Sequence, residues 1–302
     1  MTLSHIVDAL GGELYDKGRR ASVPGPHHSA DDRSVSLLLQ GDRVVVHTYG
    51  RTDWKEVLDD LRERNLIDRN NALIDGPGIP VTGRPAAPAP TDRERLEAAR
   101  RLWDAGRPLG TSLAAQHCRL RGLKGPLPGP DALRFLNDAP ISVYRPGKGR
   151  RPALLAGILD ACGVLVAVEV TYLAPNAKRA VDLHLPRKTI GAPPATGCAV
   201  RLDPAAEEML VGEGVFQTRA ASEHFGLPGW ALQSTRNLRG WTPPEGVRHV
   251  LIAGDRGKDG ERSAEILRRR IIGLGLQSDL ALPPLPYPQW DQWACRPSTA
   301  RV

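Results

Sequence analysis

Hydrophobic and polar positions in the first 74 residues alternate in a way that predicts a small α+β unit. Ile6, Val7 and Leu10 recur at helical spacing before a Gly-Gly pair, so we expect a short helix that ends at this pair. Two β-branched or apolar runs follow, SVSLLL and RVVVHTY, and a Gln-Gly-Asp turn joins them. This arrangement is typical of a β-hairpin.

An amphipathic helix, TDWKEVLDDLRERNLI, completes the first unit, which we expect to span residues 1–74. Thr52 or Asp53 is its candidate N-cap. The face that it would bury consists of Trp54, Val57, Leu58 and Leu61. Residues 75–91 are rich in Pro, Gly and Ala, and they predict an extended linker because proline fixes φ and removes a backbone donor.

Residues 92–203 predict a mixed α+β segment. DRERLEAARRLWDAG and TSLAAQHCRLRGL carry apolar residues at helical spacing. The later apolar runs ALLAGILD and GVLVAVEVTYL are separated by a turn around Gly163, which predicts neighbouring strands of a meander. A dense basic cluster, YRPGKGRR, precedes these runs, and we expect it to lie in a Gly-Pro loop.

In residues 204–302 the sequence pattern changes, and predicted strands alternate with predicted helices. The strand-like segments are EEMLVGEG, GWALQS, RHVLIAGDRG and QSDLALP, and helical segments separate most of them. Such alternation predicts parallel βαβ units. The predicted fold class is therefore α+β in the N-terminal parts, followed by a Rossmann-like α/β domain with a mainly parallel sheet.

Two acidic residues end neighbouring predicted strands of this domain, Glu213 and Asp255, and Asp259 follows closely. Functional groups of an open parallel sheet lie at the carboxyl ends of its strands. Carboxylate oxygens suit Mg²⁺, so these acids favour metal-assisted phosphoryl transfer or phosphodiester cleavage. The alternative is that both strand-end acids cap the following helices. We also expect Gly214 and Gly260 to be intolerant of larger residues, because the turns need room or a positive φ.

Composition and charge exclude several classes of protein. No apolar run approaches the ~20 residues of a membrane span, and the N-terminus does not have the pattern of a secretory signal. The four cysteines are far apart and form no CxxC pair, which indicates a reducing cytoplasm rather than a disulfide scaffold. No P-loop, GxSxG or HExxH motif is present. Lys and Arg exceed Asp and Glu by 41 to 34, a balance that permits a polyanionic partner.

The acidic motifs resemble a known family. LVGEGVFQTRAAS resembles the first motif of a Toprim domain, and LIAGDRGKDGERSAEIL resembles its second motif. Residues about 5 to 293 are similar in order and spacing to DNA primases of the phage and plasmid type. The resemblance implies a protein of a phage or mobile element that performs nucleotidyl transfer for DNA replication. It implies Mg²⁺ or Mn²⁺ as cofactor and Glu213, Asp255 and Asp259 as catalytic and metal-binding residues.

The N-terminal unit is similar to the primase zinc-ribbon module, but it lacks that module's cysteines. Val23 stands where the first cysteine is expected, and no cysteine precedes Cys118. Since a structural zinc site needs four nitrogen or sulfur ligands, we expect a remnant without zinc. The alternative is a histidine and aspartate site built from His27, His28, Asp32 and His47.

The acidic motifs also depart from the family pattern. Gly257 stands at the second acid of the family's Asp-x-Asp, and Gln289 stands at an acidic position near the C-terminus, where Asp291 is one of few acids nearby. Loss of carboxylates weakens Mg²⁺ binding. Two rivals to a primase remain. A Toprim nuclease would use the same acids to cut a phosphodiester, and a non-catalytic module that binds nucleic acid or protein is favoured by Gly257, Gln289 and the missing cysteines.

Basic residues complete the prediction. Phosphate contacts from Lys and Arg supply affinity for nucleic acid without reading its sequence. The candidates are Arg145, Lys148, Arg150, Arg151, Lys178, Arg179, Arg187 and Lys188. The expected partners are single-stranded DNA or another nucleic acid, nucleotides, and a separate helicase or replication protein, with no membrane.

Overall fold

The computed structural model divides the chain into two compact units, residues 1–89 and 90–302. The residues that it describes are 2–26, 32–48, 53–74, 90–144, 147–183 and 185–296. Most of the predicted linker, 75–91, lies outside these ranges, as do His27, His28 and Arg145. Within the described ranges, no helix has the length and apolar character needed to cross a membrane.

The first unit is a four-stranded antiparallel sheet with two helices. Its elements are α1 (Ser4–Leu10), β1 (Glu13–Tyr15), β2 (Arg20–Val23), β3 (Val35–Gln40), β4 (Arg43–Thr48) and α2 (Trp54–Glu63). The strand order is β1-β2-β3-β4. The predicted hairpin is confirmed, because β3 and β4 pair from Gln40 and Arg43 outwards around Gly41, which has a φ of 68°.

The predicted helix α2 is confirmed, but one residue of its predicted face is wrong. The Asp53 carboxylate caps the helix by accepting a hydrogen bond from the Lys55 amide at 3.0 Å. Val57, Leu58 and Leu61 are buried, whereas Trp54 is 50% exposed. Trp54 lies on the apolar face by its spacing, but it is the first residue of the helix. No preceding helical turn is present to cover its side chain.

The part of the first unit that resembles a zinc ribbon is held by apolar packing and one carboxylate. Val23, at the expected cysteine position, is fully buried in the core of the unit. The Asp32 carboxylate accepts hydrogen bonds from the amide of Gly25 at 2.9 Å and from the amide and hydroxyl of Ser34 at 3.1 and 2.6 Å. Asp32 therefore fixes the ends of the segment between β2 and β3.

The second unit begins with two helices and an antiparallel meander. Its first elements are α3 (Asp92–Ala105), α4 (Leu113–Leu120), β5 (Leu133–Pro140), β6 (Arg150–Leu159), β7 (Leu165–Tyr172) and β8 (Arg187–Gly191). Thr91 and Glu94 form a capping box at the start of α3. The strand order β5-β6-β7-β8 confirms the predicted meander. Arg150 and Arg151, expected in a loop, are instead the first residues of β6, where they pair with Pro140 and Ala139 of β5.

A mainly parallel sheet follows. Its elements are β9 (Val200–Arg201), β10 (Glu208–Gly212), α5 (Val215–Phe225), β11 (Gly229–Ala231), α6 (Thr235–Gly240), β12 (His249–Ala253), α7 (Lys258–Gly273), β13 (Gln277–Ala281) and α8 (Trp290–Ala294). The strand order is β13-β12-β10-β11-β9, and only β9 runs antiparallel. The predicted fold class is therefore confirmed.

The C-terminal helix packs back onto this sheet. Trp290 is 2% exposed and belongs to one apolar cluster with Leu210 of β10 and Ala253 of β12. This packing holds the residues around position 290 close to the carboxyl ends of β10 and β12.

Candidate functional site

The parallel sheet brings Glu213 and Asp255 to one edge. Gly212 of β10 and Ala253 of β12 are register partners, and each acid follows its strand within two residues. Both side chains are half-buried. The juxtaposition predicted from the strand ends is therefore present.

Neither acid caps the following helix, which excludes the capping interpretation. The N-cap of α5 is Gly214 and that of α7 is Gly257, and neither helix has a side-chain cap hydrogen bond. Gly257 has a φ of 115°, a conformation that L side chains rarely adopt. The two carboxylates are thus held at the strand ends without a capping role.

The glycines around the acids differ in how tightly they are packed. A Cβ on Gly260 would lie 2.7 Å from the carbonyl oxygen of Asp255, so α7 needs a glycine to approach this loop. A Cβ on Gly212 would lie 2.6 Å from the Thr218 hydroxyl. Gly214 has a negative φ, and its Cβ would lie 3.6 Å from Gln217, an ordinary contact. The expected intolerance at Gly214 is therefore wrong in geometric terms, and Gly212 is the tight position beside Glu213.

The environment of Glu213 favours its protonated form. Burial raises the pKa of Glu213, and the negative charges of Asp255 and Asp259 raise it further. The positive charges of Arg187 and Arg239 act in the opposite direction. Glu213 is therefore a carboxyl group that can bind a cation or hold a proton.

One carboxylate oxygen of Asp255 accepts a hydrogen bond, and the other has no hydrogen-bond partner. Its Oδ2 accepts a hydrogen bond from the Gln289 side-chain amide at 3.1 Å. Its Oδ1 is buried and has no hydrogen-bond partner. Burial raises the pKa of Asp255, while the neighbouring amides of Gln289 and Gln217 lower it. A buried carboxylate oxygen without a hydrogen-bond partner of good geometry is one that a water or a cation can satisfy.

Asp259 is oriented differently from the other two acids. It lies in the first turn of α7, its side chain is 66% exposed, and it forms an ion pair with Arg239 of α6. Arg239 also donates to the Ser263 hydroxyl at 3.0 Å. Asp259 affects the charge of the site but is already paired with a cation of the protein.

The donor set fits Mg²⁺ with few protein ligands. In the described part of the chain, no three His, Cys, Asp or Glu side chains gather in a geometry that could hold a metal ion. Mg²⁺ commonly takes one or two carboxylates and completes its shell with waters and substrate phosphates. Glu213 and the unpartnered Oδ1 of Asp255 are consistent with such a site.

The predicted basic residues that the structure describes lie in different surroundings. Arg150 and Arg151 form ion pairs with Asp138 and Asp182 at 3.4 and 2.6 Å. Lys188 is half-buried, donates to the Ile141 carbonyl and lies over the Tyr172 ring, and burial lowers its pKa.

Lys148, Lys178 and Arg187 are exposed, whereas Arg179 is half-buried. Arg187 is 3.8 Å from the half-buried Glu169. Burial lowers the pKa of Arg179, and the positive charges of Arg187 and Arg121 lower it further. Arg187 also acts electrostatically on Glu213. Of the predicted basic residues that the structure describes, Arg187 is therefore the one whose charge is seen to act on the acidic site.

Three residues near the site were not predicted. Arg121, at the end of α4, forms an ion pair with Asp291 of α8, and its Nε lies 3.1 Å from Oδ2. Gln217, in the first turn of α5, is buried beside Asp255. Arg239 holds Asp259. Only Gln217 had a signal in the sequence, since it lies one helical turn after the acid at position 213.

Comparisons with known proteins identify two families in the second unit. Residues 208–296 match the Toprim domain family, and residues 93–202 match a domain of unknown function, DUF7146. No curated protein matches the chain significantly. The C-terminal part of the chain is therefore a Toprim domain, and the resemblance to Toprim proteins is confirmed.

Several solved structures similar to this chain are primases. The zinc-binding and RNA polymerase domains of Aquifex aeolicus primase match with a TM-score of 0.40 and 15% identity over 96% of this chain and 78% of that chain. The RNA polymerase domain of Mycobacterium tuberculosis primase DnaG, crystallised with a double-stranded DNA oligomer that has a 6-nucleotide overhang, matches with a TM-score of 0.42 and 14% identity over 66% and 75%. The primase fragment of the bacteriophage T7 primase-helicase protein matches with a TM-score of 0.35 and 12% identity over 59% of this chain, which spans 64% of that fragment.

Proposed function

We propose that this Toprim protein is a primase-type enzyme that performs Mg²⁺-dependent nucleotidyl transfer, the synthesis of a primer, on single-stranded DNA. The observation that supports it is the pair of strand-end carboxylates, Glu213 and Asp255, one of which has a buried oxygen without a partner. Mn²⁺ is expected to replace Mg²⁺, because both are hard cations that carboxylates bind.

The chemistry assigns different tasks to the acids. A 3′-hydroxyl attacks the α-phosphorus of a nucleoside triphosphate, a new P–O bond forms, and the bond to pyrophosphate breaks. Glu213 would accept the hydroxyl proton or help to hold the metal, and Asp255 would hold the metal. The bound metal supplies charge neutralisation for the phosphates. Asp259 would become a third ligand only if its ion pair with Arg239 opened.

The template is held by the basic residues of the preceding segment. Arg187 is the strongest candidate, because its positive charge acts on Glu213. Arg179 adds a positive charge that acts on Arg187. The exposed Lys148 and Lys178 add phosphate contacts at a greater distance from the acids. The protein acts in the cytoplasm of a host for a phage or mobile element, and a separate helicase or replication protein supplies the open strand.

Incubation with ribonucleotides and a single-stranded template tests this function. Glu213→Gln keeps the side-chain shape and removes the charge, so primer synthesis should fall by at least about 100-fold. The matched control is Glu208→Gln, which changes an exposed acid at the start of the same strand and should leave the rate unchanged. Wild-type primer synthesis in Glu213→Gln would contradict the catalytic assignment.

Asp259 is tested by metal binding. If Asp259 is a ligand, Asp259→Asn should weaken Mn²⁺ binding in calorimetry, and Arg239→Gln should strengthen it by releasing the carboxylate. Equal Mn²⁺ affinity in both variants and the wild type would restrict the metal site to Glu213 and Asp255.

A non-catalytic module that binds nucleic acid is the second candidate. It is favoured by the ion pair that occupies Asp259 and by Gln289, which occupies one oxygen of Asp255. Salt-sensitive DNA binding without primer synthesis in the wild type would select this candidate. Degradation of a labelled strand without nucleotide addition would select a Toprim nuclease instead.

A further inference from the structure

We infer that Gln289 sets the metal affinity of the acidic site, because it supplies a neutral donor to Asp255 at the place where a carboxylate would supply a further ligand. Its side-chain nitrogen lies 3.1 Å from Oδ2 of Asp255. Gln289 is thus a positioning residue for Asp255. The inference deepens the proposed function and rests on it.

The backbone holds Gln289 firmly in this position. The amide of Arg256, next to Asp255, donates to the carbonyl of Pro288 at 2.9 Å, and the amide of Trp293 donates to the carbonyl of Gln289 at 3.1 Å. On its other side, Gln289 adjoins the buried Trp290. Backbone hydrogen bonds therefore join the loop of Asp255 to the start of α8, and they fix the position of Gln289 relative to Asp255.

The second anchor of this segment is the ion pair between Arg121 and Asp291. Asp291 is 3% exposed, so its charge is fixed two residues from Gln289. Arg121 pairs with Oδ2 of Asp291, whereas Oδ1 of Asp291 is buried without a hydrogen-bond partner, and the charge of Asp291 raises the pKa of Asp255. Position 289 carries a neutral amide beside Asp255, and a glutamate there would add one carboxylate next to a cation bound at Asp255.

Two consequences for Asp255 follow from the chemistry of an amide. A donor on Oδ2 orients the carboxylate and leaves Oδ1 as the oxygen for a metal. A carboxylate at position 289 would repel Asp255 when no metal is present and would attract a cation between the two groups. Cation affinity rises with the number of carboxylate ligands. The chain therefore binds its metal weakly, and one isosteric change is enough to strengthen the binding.

The test is Mn²⁺ binding to the full chain, measured by calorimetry and by melting with and without Mn²⁺. We expect Gln289→Glu to bind Mn²⁺ at least about tenfold more tightly, equivalent to ~1.4 kcal/mol. In chelator, its melting temperature should fall below that of the wild type, and in Mn²⁺ the difference should shrink or reverse. Gln289→Asp, with a shorter carboxylate, provides the same comparison if Gln289→Glu aggregates.

The matched control is Gln292→Glu, which adds the same charge at an exposed position whose amide is 3.5 Å from the Gln289 oxygen. An equal gain in affinity in Gln292→Glu and Gln289→Glu would overturn the inference, because general electrostatics would then explain both. Equal Mn²⁺ affinity in the wild type and Gln289→Glu would also overturn the inference. It would leave the proposed function unaffected. Binding only to Gln289→Glu would support the inference, and binding to neither protein would overturn both the inference and the proposed metal dependence.

Discussion

Arg121 of α4 and Asp291 of α8 form an ion pair although 170 positions separate them in the chain. The pair connects the segment before the Toprim domain to the C-terminal helix, on which Gln289 also depends. Arg121 additionally lies over the ring of Phe216 in α5, with its guanidinium carbon 4.4 Å from the ring centre. One side chain thus contacts both helices that flank the acidic edge of the sheet.

Loss of this ion pair should destabilise the second unit. Arg121→Gln leaves the Asp291 carboxylate buried without its counter-charge, a change that costs about 3 kcal/mol in comparable buried pairs. Urea unfolding measures the loss. The control is Arg93→Gln, which breaks an exposed i,i+4 pair with Glu97 and should leave the midpoint of urea unfolding almost unchanged. Equal stability of both variants would contradict the role of the buried pair.

Gly260 and Gly214 should respond differently to the same substitution. Gly260→Ala places a methyl group against the carbonyl of Asp255 and should cost about 2 kcal/mol, within the range for overpacking. Gly214→Ala has room for its methyl group and should change stability by less than about 0.5 kcal/mol. Thermal melting of both variants in chelator gives the comparison. A larger loss at Gly214 would show that the turn after β10 moves closer to α5 than the structure indicates.

His117 should make stability depend on pH below neutrality. Burial lowers its pKa, and the charges of Arg121 and Arg179 lower it further, while its Nδ1 bonds to the carbonyl of Ala177 at 2.8 Å. As pH falls through about 6.5, His117 binds a proton in the unfolded chain but stays neutral in the folded chain, because its pKa is lower there. Stability is therefore retained above this value and lost below it, with a slope of up to about 1.4 kcal/mol per pH unit.

The control for this titration is His117→Asn, whose amide nitrogen can replace Nδ1 as a donor to Ala177. Unfolding in urea between about pH 7.5 and 5.5 should show a steeper loss in the wild type than in the variant. Parallel pH profiles for the two proteins would assign the dependence to other groups.

Zinc should be absent from the purified protein. Val23 fills the place of the expected first cysteine with a buried apolar side chain, and Asp32 bonds to Gly25 and Ser34. Elemental analysis should find less than stoichiometric zinc, and a chelator should leave the melting temperature of the first unit unchanged. One zinc per chain would instead support the site of His27, His28, Asp32 and His47.

Local patterns predicted the elements that depend on nearby residues. The hairpin turn at Gly41, the cap at Asp53 and the strand ends at Glu213 and Asp255 follow from spacing and from residue type. The strands β1 and β2 were not predicted, because three or four residues carry too little alternation to identify a strand.

Contacts between distant segments could not be predicted. The pairing of Asp259 with Arg239, across 20 positions and two different elements, depends on how α6 and α7 pack. The same is true of Arg150 and Arg151, whose loop-like Gly-Pro context was overridden by pairing with β5. In both cases the packing of distant elements determined the partner of a charged side chain, and the local sequence had favoured a different role for it.

The short antiparallel strand β9 has a practical consequence for anyone who wishes to isolate the Toprim domain. Val200 and Arg201 cover the outer edge of β11, while the adjacent Ala199 exchanges backbone hydrogen bonds of 2.8 and 2.9 Å with Leu159 of β6. A fragment cut at residue 204, the predicted start of the domain, would lose this cover and leave a row of bare backbone donors and acceptors. Such an edge recruits strands from other molecules. Residues before Ala199 therefore belong in any soluble fragment.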